Sequence, residues 1–238
     1  MVRDRGMTLR LTVLPWAVAM ATVFAILELI AGLGLSSLGY DQLLASMRTP
    51  GYLPAIMISL FVVCTIGAWV GLSWHRHVLL GEKAVAVLPR NNSETFDPYF
   101  DAVMKFTALT LGVVMMIKYL MVPLVPVLGL AGPGAKVISV AINALLVTIL
   151  LRHALILPAA ALGKPVSMST SWKVTSGFTG PIFSIAFVVV IVVETARMLP
   201  AGNLAALVLQ FTAVWAGLIL CFGVITELYK VRTRKLAA

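Results

Sequence analysis

The chain is poor in charge and poor in the residues that do chemistry. Only 11% of its 238 residues are charged, against about 25% in an ordinary soluble domain. Nine acidic residues and three histidines are spread along it, and no carboxylate pair has a catalytic spacing. The His/Asp/Glu clusters of a membrane diiron site are missing. No Walker A, GxSxG, HExxH, CxxCH or Rossmann glycine pattern occurs. These absences argue against an enzyme and against a bound cofactor. The two cysteines, Cys64 and Cys221, both lie in apolar runs with no CxxC or Cys/His spacing, so neither a disulfide nor a metal site is expected. His75 and His77 are two apart and point to different faces of a helix, a poor metal pair.

Apolar sequence is what the chain has in quantity. It is 61% hydrophobic, with a mean hydropathy of +1.02. The apolar residues fall into six runs, about 11–35, 52–74, 104–129, 136–162, 178–199 and 203–228. At 1.5 Å per residue each is long enough for the roughly 30 Å of a bilayer's hydrocarbon core. None shows the ten-residue alternation of a membrane barrel, and in lipid only helices and closed barrels satisfy their backbone groups. The first run is too long for a secretory h-region and reads as an uncleaved span. The expectation is one all-α domain over 1–238, a bundle of six transmembrane helices.

The formal net charge of +9 points to membrane orientation rather than nucleic acid, because the basic residues gather at run ends and tails. With the N-terminus inside, thirteen Lys and Arg fall on the cytoplasmic side, from Arg3 to Lys235, and three on the other (Arg48, Lys136, Arg197). That bias predicts cytoplasmic N- and C-termini and contact with anionic headgroups at the cytoplasmic face. Asp97-Pro98 reads as the N-cap and N1 of a third helix that begins before its apolar part. The longer outer loop, 36–51, has room for a short interfacial helix near Tyr40–Met47.

The polar exceptions are the candidate sites. Lys118 falls near the middle of the third run, ahead of Pro123 and Pro126. A mid-membrane lysine costs about 3 kcal/mol on insertion scales, and its obvious partners are Glu28 and Glu194. Two readings stay open: a polar site for an anionic solute or a proton, or a structural ion pair. Arg152, followed by His153, sits in the inner third of the fourth run. It is expected to snorkel to headgroups or to pair with Glu82 or Glu227. Gly67 and Gly71 form a GxxxG pattern that suits either internal packing or an oligomer face. Arg76-His77 and Arg152-His153 hint at repeated helical hairpins.

Two stretches carry a resemblance. One is Trp74-His-Arg-His-Val-Leu-Leu-Gly-Glu82; the other is Arg152-His-Ala-Leu-Ile-Leu-Pro-Ala-Ala-Ala-Leu-Gly163 with the following Ser171-Trp-Lys-Val-Thr-Ser-Gly177. They resemble a family of uncharacterised, mainly proteobacterial, six-span inner-membrane proteins with W-x-R-x-x-L-L-x-E and R-x-x-L-x-L-P-x-x-A-x-G elements. The resemblance implies the bacterial inner membrane, no particular activity, and a cytoplasmic-rim set of Trp74, Arg76, Glu82, Arg152, Pro158, Trp172 and Thr175. It favours an Arg152–Glu82 contact. Ser171 stands where the family often has a small apolar residue. Three functions remain in view: an accessory, assembly or structural subunit of a larger membrane complex; a small-solute or ion transporter using Lys118, Glu28 and Glu194; and a lipid-interacting protein.

Overall fold

A computed structural model describes residues 5–31, 51–82, 93–127, 133–198 and 204–236. Within them the chain is helical, with no strand. The elements are α1 (Arg5–Ala31), α2 (Tyr52–Leu80), α3 (Ser93–Val127) and α4 (Pro133–His153), then the short α5 (Ile156–Ala161) and α6 (Met168–Val174). A single 3-10 turn (Ser176–Phe178) leads into α7 (Thr179–Arg197), and α8 (Leu204–Leu236) follows.

Among the described residues, five helices are long and apolar enough to cross a membrane: Tyr52–Leu80, Glu94–Ile117, Lys136–Ala161, Ser176–Arg197 and Val208–Arg232. This is the make-up of a multi-pass membrane protein. The sixth expected span corresponds to α1, whose described apolar stretch, Thr12–Ile26, is shorter than these five. The outer loop with its expected interfacial helix lies outside the described residues.

Several boundaries differ from expectation for local reasons. The second helix continues through Trp74 to Leu80, so the first rim motif occupies its last two turns rather than a loop. Gly81 stops it: at φ 70 it adopts the left-handed conformation, and its N–H bonds the His77 carbonyl at 3.0 Å. The third helix starts at Ser93, upstream of Asp97, and runs through Pro123 and Pro126 to Val127 without interruption. The fourth run breaks after His153. Pro158 has no N–H for the Ala154 carbonyl, which instead accepts from Leu157 at 3.0 Å, and the chain restarts as α5. Gly163, at φ 69, ends α5 in a Schellman turn: Gly163 N–H bonds the Ala160 carbonyl and Lys164 N–H the Ala159 carbonyl, each at 2.9 Å.

Packing is tightest at one end of the bundle, where α2, α4 and α8 finish and α3 and α7 begin. One cluster joins Ala68, Val70 and Leu72 of α2 with Tyr99 and Ala102 of α3, α5, and Phe222 of α8. A second joins Leu151 and Ala154 with Ile182 and Ala186 of α7 and Ile225 of α8. A smaller contact, Val23 with Ala55, holds α1 against α2. Alanine is prominent in these clusters. Small side chains let helices approach closely, which matters in lipid, where apolar burial alone gives no drive to associate.

Candidate functional site

The packed end carries the rim motifs, and the two arginines of those motifs act alike. Arg76, in the last turns of α2, donates from Nε to Glu82 Oε2 at 2.8 Å and from Nη2 to Glu82 Oε1 at 2.5 Å. Its Nη1 donates to the Ala161 carbonyl at 3.1 Å. The left-handed Gly81 is what turns the chain so that residue 82 can reach back to residue 76. Ala161 is the last residue of α5, where helical carbonyls lack partners of their own. A cation is favourable there, at the negative end of the helix dipole. His77 Nδ1 lies 2.7 Å from the Glu82 carbonyl oxygen and adds a second tie across the same turn.

Arg152 repeats the device at the end of α4. It is only 8% exposed. Its Nη2 donates to the Trp172 carbonyl at 2.9 Å, and its Nε to Thr175 Oγ1 at 3.3 Å. Its guanidinium lies 3.5 Å over the centre of the Trp172 ring, a close cation–π contact. Trp172 belongs to the last turn of α6, so the accepting carbonyl is again a helix-terminal one. The break before α5 also removes the helical partner of the Arg152 carbonyl. Ser171 Oγ donates to it at 2.6 Å. Ser171 therefore caps the broken helix. His153 Nδ1 bonds the Ile149 carbonyl at 2.8 Å, and its ring packs 5.0 Å from that of Trp172.

The expected Arg152–Glu82 contact is not formed. Glu82 is held by Arg76, and Glu227, the other proposed partner, is paired with Lys230 at 2.9 Å. Arg152 has a carbonyl, a hydroxyl and an aromatic face in place of a carboxylate. Arg76 was expected in the same rim, but its reach to α5 has no signal in the sequence.

A third cluster has no motif at all. His75 is fully buried and its Nδ1 lies 2.8 Å from Thr226 Oγ1 of α8. The Thr226 hydroxyl donates to the Phe222 carbonyl, so it accepts from His75, which fixes the Nδ1–H tautomer. His75 Nε2 is then an acceptor, and it is buried without a partner. The hydroxyl of Tyr99, also fully buried and unpartnered, is a donor on the neighbouring helix; the two rings are 6.0 Å apart. Trp74 lies one residue away and also buries an unpartnered Nε1. The glycine pattern explains the fit. A Cβ on Gly71 would collide with the Tyr99 hydroxyl and meet the Phe222 ring at 3.1 Å, whereas Gly67 has nothing within 4 Å. Gly71 is thus an internal packing position, and the GxxxG pattern does not act as one face.

Of the expected mid-membrane set, the two glutamates are described. Glu194, at the end of α7, accepts from Arg197 at 2.9 Å and from Asn143 Nδ2 of α4 at 3.3 Å. Asn143 and Arg197 are partners that the apolar-run reading passed over. Glu28 is exposed on α1. Lys118 is within α3, and its side chain lies outside the described residues.

The class these features define is a multi-pass helical membrane protein with two arginine clasps at one end. Comparison with protein-family models, curated proteins and solved structures finds no match for the chain.

Proposed function

We propose that the chain is a six-span protein of the bacterial inner membrane, with both termini cytoplasmic. In this reading it is a non-catalytic accessory or assembly subunit of a larger membrane complex. The observation that carries the reading is the saturation of the rim. Arg76 and Arg152 spend their guanidinium groups on helix-terminal carbonyls, Glu82, Thr175 and the Trp172 ring. Charges used this way shape a bundle; they are not held open for a substrate. The placement rests on the thirteen-to-three distribution of basic residues. The clasped end then faces the cytoplasm.

The test is crosslinking in native membranes followed by purification in mild detergent. A partner of fixed stoichiometry is expected. A monodisperse lone chain without crosslinks would overturn the reading. Transport is the competing proposal, supported by the Glu194–Asn143 contact within the spanning helices. It requires that Lys118→Ala and Glu194→Gln change flux or ligand binding; unchanged behaviour in both removes it.

A further inference from the structure

A groove of about 510 Å³ runs between α3 and the α5–α6 segment at the clasped end. The groove is half open, and its lining is mainly apolar. Its polarity is graded along α3. Along α3 the lining passes from Asp101 and Lys105, with the chain around Ser167, to Ala108 and Leu109, with Ile156 of α5 also in the lining. The apolar part therefore continues toward the hydrocarbon, and the charged part sits where the helix leaves it.

The charges at the mouth are of both signs. Lys105 Nζ is 2.6 Å from Asp101 Oδ2, one turn apart on α3, with side chains 64% and 60% exposed. An exposed pair of this kind is worth little by itself, so it opens readily to a ligand that replaces both halves. We propose that the groove binds a zwitterionic aminophospholipid, one acyl chain in the trough, its ammonium on Asp101 and its phosphate on Lys105. A purely anionic headgroup would set its charge against Asp101 as well as Lys105. A trimethylated ammonium lacks the N–H donors that a carboxylate accepts. The proposal rests on the membrane embedding given above but not on its direction, since either orientation presents the groove to one leaflet.

The experiment is native mass spectrometry of the full chain in detergent. Phosphatidylethanolamine, phosphatidylglycerol and phosphatidylcholine of matched acyl chains are titrated separately. Phosphatidylethanolamine is expected to be retained about fivefold more than either other lipid, the factor an exposed charge pair supplies. Asp101→Asn should abolish that preference. Ala108→Trp, an exposed position in the trough, should reduce binding of every lipid. Val188→Trp, on an exposed face of α7, should not. Equal retention of the three lipids by the unsubstituted chain overturns the proposal, as does a preference that survives Asp101→Asn. If Ala108→Trp fails to fold, the Asp101→Asn comparison decides alone. A missing partner in the crosslinking experiment leaves this outcome unaffected, so the two readings fail separately.

Discussion

The two ends of the bundle solve the problem of polar groups in a membrane protein differently. At the clasped end, Arg76 and Arg152 are surrounded by the chain's own acceptors, and the helices around them are tightly packed. Toward the other end, Glu194 is satisfied by two partners from α4 and its own turn, and Glu28 is exposed. The difference lies in the sign of the charge and so in what can satisfy it. The fourth run breaks into α4 and α5, and α6 follows, so three helix C-termini occur between His153 and Val174. Each carries carbonyls that helical bonding leaves over. A cation inserted among them satisfies the carbonyls and is itself satisfied. Toward the other end the charge is a carboxylate, an acceptor itself, so Glu194 is met by the side-chain donors Asn143 and Arg197.

The comparison is broken most severely by Arg152→Ala. It removes two charge-assisted hydrogen bonds and a close cation–π contact with the partly exposed Trp172 ring, worth together about 3 kcal/mol. A loss of stability of that size is expected in detergent, read as a lower thermal midpoint of helicity. The next effect is steric. Gly71→Ala drives a methyl group toward the Tyr99 hydroxyl and the Phe222 ring and should cost about 2 kcal/mol by overpacking. Gly67→Ala, one turn earlier in open space, should be neutral or gain a few tenths of a kcal/mol from helix propensity. A crosslinked oligomer lost equally in both variants would instead make the glycines a shared face.

Smaller again is Glu82→Gln. The pair with Arg76 is bidentate but its side chains are 29% and 45% exposed, so solvent screening holds the loss to about 1 kcal/mol. The same measurement after Arg76→Lys should show a similar loss, because lysine keeps the charge and cannot hold Glu82 and Ala161 with one rigid fork. The smallest effect sharpens the third cluster. Tyr99→Phe removes a buried hydroxyl that has no partner, so thermal stability should stay level or rise by up to about 1 kcal/mol. A clear fall would mean that the hydroxyl bonds a buried water shared with His75.

What the sequence disclosed follows the range of the interaction. Apolar runs report helices because lipid imposes the same length on each, and five of the expected spans are recovered with shifts at their ends. The Arg76–Glu82 pair was half visible. Both residues stood in one motif, but the six-residue reach depends on Gly81 taking a left-handed turn. The break at Ala154–Leu155 was signalled by Pro158, and its consequence was not: the chain restarts as α5, whose end receives Arg76, and Arg152 reaches α6. The His75–Thr226 bond joins residues 151 apart in sequence, and nothing local to either names the other. Lys118 stood out by its cost in lipid, yet cost alone names no partner.

The most direct test of the clasp is hydrogen exchange, resolved along the chain, in Arg152→Lys against the unsubstituted protein. The lysine keeps the charge and loses the planar fork. If Arg152 serves to hold α6, exchange protection over Met168–Val174 should drop by at least about tenfold, the equivalent of roughly 1.4 kcal/mol, while Ala55–Leu72 of α2 stays unchanged. Full protection of α6 in the variant, together with loss of a crosslinked partner, would contradict the clasp and make Arg152 a point of contact with another molecule.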